Sequence, residues 1–224
     1  PGRLRIGLAL RPPLTLTRTA PHPEVARAVT ALAEALARLG HHVEEARPRY
    51  GLIGLAFVPR ATAGIAELAA AHPEPGLLDP RTRSALRTGT RLGGRIVRAA
   101  RAREVRQHRR IGAFFDQGPA RSGGGYDVLL TPTTATPPPR IGAHDGLSAW
   151  RTDLAMTAAC PYAWPWNVLG WPGVNVPAGF THDGLPVGAQ LLGPSRSEAR
   201  LVSLAAQLEA DRRWYEHRPP VPGR

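Results

Sequence analysis

Hydrolytic chemistry in proteins draws on a short list of side chains, and these 224 residues carry an unusual selection of them. All 29 basic residues are Arg, with no Lys anywhere. That removes the side chain able to act as a neutral amine base, because a guanidinium with a pKa above about 12 stays protonated at any working pH. Cys160 is the single cysteine, so no intrachain disulfide can form and a thiolate zinc site lacks its usual partners. His41 and His42 are adjacent rather than spaced for one ion, and the other His residues are scattered, so no metal site is expected. Ser, His and Asp are all present, yet no Gly-x-Ser-x-Gly elbow presents a nucleophile. Ser122-Gly-Gly-Gly125 is Gly-rich but offers one hydroxyl and no base, and reads as a tight loop. Two amides stand out: Gln190 in an apolar run and Asn167 beside three Trp residues. Each must be hydrogen-bonded, either structurally or as part of a site.

The elements that must position these groups follow from apolar spacing. Residues 3 to 10 (RLRIGLAL) form a buried-strand run stopped by Pro12 and Pro13. From Pro23 to Leu39, Val25, Val29, Leu32, Leu36 and Leu39 recur at steps of three and four, with Gly40 placed for a left-handed cap. His42 to Ala46 reads as a second strand, which makes the first 45 or so residues a strand–helix–strand crossover unit. Residues 51 to 71 read as helix and 72 to 80, with three Pro, as loop. A long helix is expected from Arg81 to Asp116, bent at Gly93-Gly94. Its buried stripe would comprise Leu86, Ile96, Val97, Ala100, Ile111, Phe114 and Phe115, opposite a solvated face of Arg87, Arg91, Arg95, Arg98, Arg106 and Arg109. Tyr126 to Leu130 is a buried strand and 132 to 148 a Pro-rich loop of the kind that lines sites. Ser148 to Ala159 is a helix, and an aromatic, Pro-rich stretch runs from Pro161 to Pro172. Val174 to Pro177 and Pro186 to Leu192 form a hairpin, and Ser197 to Ala210 a closing helix with Leu201, Leu204 and Leu208 inward.

Length and a composition of 42% hydrophobic and 21% charged residues fit one globular domain or two small ones; residues 1–224 are read as a single domain, of α/β class from its strand–helix–strand unit. No apolar stretch approaches the roughly 18–20 residues that span a bilayer, so a cytoplasmic protein without a membrane partner is expected. Pro1 stands where Met normally would, and the only Met is Met156, which suggests a fragment. The strands at 3–10 and 126–131 look apolar on both faces, and four or five helices are few for five strands. An open apolar face is therefore expected, leaving the chain marginally stable, aggregation-prone or dimeric on its own.

The order of three motifs is specific. DVLLTPT (Asp127 to Thr133), NVLGWPGVNVPAG (Asn167 to Gly179) and GLPVGAQLLGP (Gly184 to Pro194), followed by the helix through Glu209, resemble the amidase signature family. RIGL, the Pro-Glu-Val helix start and LGHHV extend the likeness over nearly the whole chain. The resemblance implies a mixed sheet flanked by helices, the C-terminal part of an amidase signature fold. It also implies a hydrolase of amide carbon–nitrogen bonds working through an acyl-enzyme without a cofactor, with a Ser nucleophile, a second Ser and a Lys base whose pKa must be depressed. Family members carry the Lys and the Gly/Ser-rich segment upstream of the region matched here. The implied role of this chain is thus the substrate-pocket side, with Thr131, Thr133, Trp164, Trp166 and Asn167 as candidate substrate-binding residues and no catalytic residue. The implied partners are a small amide substrate and an N-terminal amidase half, in cis or in trans. The competing class is a non-catalytic remnant that acts as a basic binding module.

The formal net charge of +12 raises nucleic acid as a partner, but a basic content made only of Arg fits the codon bias of a GC-rich genome. No specific nucleic-acid complex is expected. Fluorescence anisotropy with a labelled duplex should show weak binding near 50 mM salt that fades steeply by roughly 200 mM as counterion release loses its advantage. Submicromolar binding that persists at physiological salt would contradict this.

Overall fold

The structure, a computed structural model, describes residues 1–13, 20–51, 53–116 and 125–217. Strand β1 (Arg5–Leu8) leads through the described part of its loop to helix α1 (Pro23–Arg38). The helix opens on His22, whose Nδ1 accepts from the Glu24 N–H, and Gly40 beyond its end has φ +93, the left-handed conformation that Gly adopts without a Cβ penalty. Strand β2 (His42–Glu45) then returns parallel to β1, with Arg5 opposite His42. This is the expected crossover unit.

Helices α2 (Gly54–Ala70), α3 (Pro80–Ala102) and α4 (Glu104–Asp116) come next. Asp79 caps α3 by accepting from the N–H groups of Arg81 and Thr82. The single helix expected from 81 to 116 is thus two, parted at Arg103, while Gly93-Gly94 lies inside α3. The physical reason is that the two segments serve different neighbours. α3 packs along α2, whereas α4 lays Ile111 and Phe115 on the sheet. One continuous stripe cannot do both, so Ile96 is left exposed although the wheel placed it inward. The six Arg of the opposite face are solvated, as expected.

Strand β3 (Val128–Pro132) is buried at every position and pairs parallel with β1. After a run of turns and helix α5 (Ala149–Ala159), capped by the Ser148 hydroxyl, the aromatic stretch folds into a short helix, α6 (Trp164–Leu169). Sequence spacing does not announce α6, because Pro165 and two Trp mask any helical period. Strands β4 (Gly173–Phe180) and β5 (Pro186–Leu192) form the expected hairpin, antiparallel to each other, with a bulge between Pro177 and Gly179. β5 pairs antiparallel with β3, and α7 (Glu198–Arg212) closes the described chain apart from one 3₁₀ turn. The sheet order is β2-β1-β3-β5-β4, a mixed sheet with helices on both faces.

The pleat divides the core. Val128 and Leu130 face a cluster with α1 and α7, where Val25, Val29, Leu32, Leu36, Leu201, Leu204 and Leu208 are buried against Val176, Ala189 and Leu191. Leu129 faces the other way, into Tyr50, Ile53, Ile111, Phe115 and the Trp residues of α6. His41, which sequence pairs with His42 as neighbours, is buried and ties the first cluster shut: its Nδ1 accepts from the Leu4 N–H at 3.1 Å and its Nε2 meets Gln207 Oε1 at 3.0 Å. His42 is exposed on the edge strand, so the two rings never share an ion.

The α2–α3 contact depends on one small residue. A Cβ on Gly89 would overlap the backbone carbonyl of Thr62, whereas one on Gly64 meets nothing within 4 Å. The same substitution should therefore change sign. Gly89→Ala should destabilise by about 1–3 kcal/mol through overpacking, while Gly64→Ala should stabilise by roughly 0.5–1 kcal/mol through helix propensity. Urea unfolding of both variants checks this, and equal shifts would show that the helices do not pack at Gly89.

Candidate functional site

Three polar residues fall in one cross-strand row. Thr131 of β3 stands opposite Gln190 of β5, and Gln190 stands opposite Asn175 of β4. Residues directly opposite in a sheet share a face. Their neighbours Leu130, Ala189, Leu191, Val174 and Val176 point to the α1–α7 side, so the polar row points to the α4–α6 side. Thr133 continues β3 beyond this row, with its N–H donating to the Gly188 carbonyl, and its hydroxyl donates to Asn175 Oδ1. Gly188 lies between them: a Cβ there would stand 2.8 Å from Thr133 Oγ1 and 3.2 Å from Asn175 Oδ1. Thr131 is fully buried, and its hydroxyl donates to the Pro132 carbonyl at 3.0 Å.

On this side of the sheet, cover extends past β3 only to the Leu192 end of β5. Helices α4 and α6 reach Leu129 and Leu192, but Gly173, Asn175 and Pro177 of β4 are exposed. The sequence anticipated an open apolar face from too few helices; at β4 the exposed positions on this side are Gly173, Asn175 and Pro177 instead. Apolar exposure lies on the helices, at Leu68, Leu77 and Val105 and at Trp150 and Met156 of α5, and also at Ile141, at Leu185 and at Phe180 of β4. The reason is alternation: β4 and β5 put Val, Ala and Leu on the α1–α7 side and leave Gly, Asn, Pro and Gln for the other.

The remaining sequence candidates sit apart from this row. Trp164 and Trp166 are 7% and 4% exposed and belong to the second core cluster. Trp166 donates Nε1–H to the Gly193 carbonyl at 3.2 Å and meets Phe115 and Trp171 edge to face. Trp164 Nε1 is buried with no hydrogen-bond partner among the described residues. Asn167 lies on the exposed side of α6. Tyr162, at the head of the aromatic stretch, is fully buried and donates its hydroxyl to the Leu10 carbonyl at 2.6 Å, which pins the stretch to the end of β1.

Sequence reasoning singled out Gln190 and expected a bonded amide; the structure leaves its Oε1 buried and without a partner among the described residues. It missed Asn175 and Gly188 as members of the same face. The signal was available in the period-two alternation of VNVPA and PVGAQLL, where the polar or small residues occupy every second position.

Among the described residues the shifted thiol and phenol groups are held in their protonated forms. Burial pushes the Cys160 thiol above its ordinary range, which disfavours the reactive thiolate. The Tyr162 hydroxyl is likewise held protonated by desolvation. Tyr126 is pushed up to about 12, first by desolvation and then by its hydrogen bond to Glu44. Among the described residues no three His, Cys, Asp or Glu converge as metal ligands, and no helix is long and apolar enough to cross a membrane. Ser122 lies outside the described residues.

Comparison with known proteins bears on this arrangement. The family model described as Amidase matches residues 1–202. The AmiA2 protein of Mycobacterium tuberculosis, whose name assigns it to the amidases, is 47% identical over 222 residues, covering 99% of this chain and 44% of its own. AmiB2 of the same organism is 40% identical over 222 residues, 99% of this chain and 46% of its own. Among solved structures, 6-aminohexanoate cyclic dimer hydrolase superposes with a TM-score of 0.78 at 25% identity, covering 98% of this chain and 47% of its own. A bacterial aryl acylamidase of the amidase signature enzymes shares the fold at a TM-score of 0.66 and 18% identity, over 97% of this chain and 46% of its own. The chain spans about half the length of the relatives it matches. On the family match, the relatives and the mixed sheet together, this chain belongs to the amidase family.

Proposed function

We propose that this chain is the C-terminal, substrate-pocket side of an enzyme that hydrolyses amide carbon–nitrogen bonds, and that the Ser nucleophile, the second Ser and the Lys base lie on a complementary portion, in cis or in trans. The observation that carries this is the pairing of family membership with a 224-residue chain that has no Lys. A Lys base works by losing its proton, and none of the 29 Arg can do so. Coverage of 44% to 47% of the relatives leaves room for the rest of the machinery elsewhere.

In this arrangement residues 1–224 act as one domain. The end of β3 turns Thr133 toward the pocket, with the fully buried Thr131 behind it fixing the strand end through the Pro132 carbonyl, and α6 presents Asn167 from its exposed side. Trp164 and Trp166 back that helix, filling the core behind it so that Asn167 and the loop after β3 hold their positions. Hydroxyl and carboxamide groups of this kind orient an uncharged amide by hydrogen bonds while contributing no proton transfer. The substrate is accordingly a small uncharged amide, and no cofactor is needed.

The isolated chain should hydrolyse no activated anilide or ester above background. Fused behind the portion of AmiA2 outside the matched 222 residues, it should hydrolyse anilides. A rate from the isolated chain that survives purification and disappears in Ser122→Ala would contradict the proposal, as would a folded fusion with no hydrolysis.

A further inference from the structure

We infer that the open face of β4 and β5, on the side of Asn175 and Gln190, is the seam on which the complementary portion docks through a closely approaching backbone segment that donates an N–H to the Gln190 carboxamide. This rests on the two-part enzyme proposed above and names the surface that joins the parts.

Three observations support it. First, the sheet is covered on both sides at β1, β3 and the Leu192 end of β5, but β4 leaves Gly173, Asn175 and Pro177 exposed on the α4–α6 side. Second, Gln190 Oε1 is already withdrawn from solvent and has no partner among the described residues, although its cross-strand neighbours both carry polar groups. Thr131 spends its hydroxyl on the Pro132 carbonyl, and the Asn175 Oδ1 takes the Thr133 hydroxyl. Among the described residues no N–H or O–H, the Asn175 amino group included, is hydrogen-bonded to Gln190 Oε1. A buried acceptor without a donor costs about 1–3 kcal/mol, so a surface that supplies one recovers that amount on docking. Third, the positions around it are cut to backbone level. Gly188 and Gly173 present no side chain, and even a Cβ on Gly188 would crowd Thr133 and Asn175. Large apolar side chains normally fill a helix-covered sheet face. A face of Gly, Pro, Asn and Gln fits main chain instead, which brings its own N–H groups.

The occupant is the remainder of the same enzyme rather than a second copy of this chain. The relatives of the same fold are about twice as long, with this chain accounting for 47% of one solved relative. The open face is polar, unlike the apolar core of a homodimer interface.

The test compares one substitution in two settings, the isolated chain and the AmiA2 fusion. Gln190→Leu removes the unsatisfied acceptor, so in the isolated chain the melting temperature should hold or rise. In the fusion it removes a made hydrogen bond and should lower the melting temperature by roughly 2–4 °C or more. Asn175→Trp should lower the melting temperature of the isolated chain only by the few degrees that losing the Thr133 hydrogen bond costs, and that of the fusion by clearly more, because the indole also blocks close approach. Arg91→Ser on the solvated face of α3 should shift neither. If both substitutions move the two melting temperatures alike, the seam lies elsewhere. Two separate transitions in the fusion, one at the isolated chain's temperature, would show no docking at all. Hydrolysis by the unsubstituted fusion, scored separately, decides the amidase proposal, so a misplaced seam in an active fusion is distinguishable from failure of the two-part enzyme.

Discussion

The strand β3 has no exposed residue, and the rest of the molecule follows from that constraint. A strand buried on both faces must also have both edges paired, because its N–H and C=O groups have no water to turn to. β1 fills one edge in parallel and β5 the other antiparallel. That choice splits the sheet into two regimes. The parallel side requires a crossover, which α1 provides between β1 and β2, while the antiparallel side needs only the short turn between β4 and β5. The C-terminal end of β3 falls where the regimes meet, and Thr131 and Thr133 stand there.

The same constraint explains why the two faces differ in chemistry. α1 and α7 pack across β1, β3, β5 and β4, so every strand offers apolar residues on that side. The opposite side is covered by α4 and α6 as far as Leu129 and Leu192, and there the aromatic cluster of Phe115, Trp166 and Trp171 ends the core. Beyond it the side chains are small or polar. An apolar surface of that size would endanger a lone chain; a Gly-, Pro- and amide-lined one does not.

Much of this was legible in the residues. The buried runs RIGL and VLLTP, the three-four spacing of Val25 to Leu36 and of Leu201 to Leu208, and the turn at Thr181 to Leu185 each mark their element, because local periodicity and burial agree there. The break at Arg103 was not legible: nothing between Arg81 and Asp116 forbids a helix, and only the competing demands of α2 and the sheet divide it. α6 was hidden because Trp and Pro at its start carry no period, and its stability comes from burying Trp164, Trp166, Val168 and Leu169 together. At the site, the family resemblance drew notice to Thr131 and Thr133, and the apolar run around it to Gln190. Their grouping with Asn175 needs the register of two antiparallel pairings, which spacing along one chain does not contain. The Trp residues drew notice as pocket walls through their size, and the same size places them in the core of this chain.

The central claim is a division of labour, in which this chain shapes the pocket and another portion reacts. The most direct measurement is to trap the acyl-enzyme of the active fusion with a slowly hydrolysed acyl donor, digest it, and locate the acyl group by mass spectrometry. The account predicts the acyl group on a Ser of the AmiA2 portion and none on residues 1–224. An acyl group on Ser122, Ser148 or any other residue of this chain would contradict it.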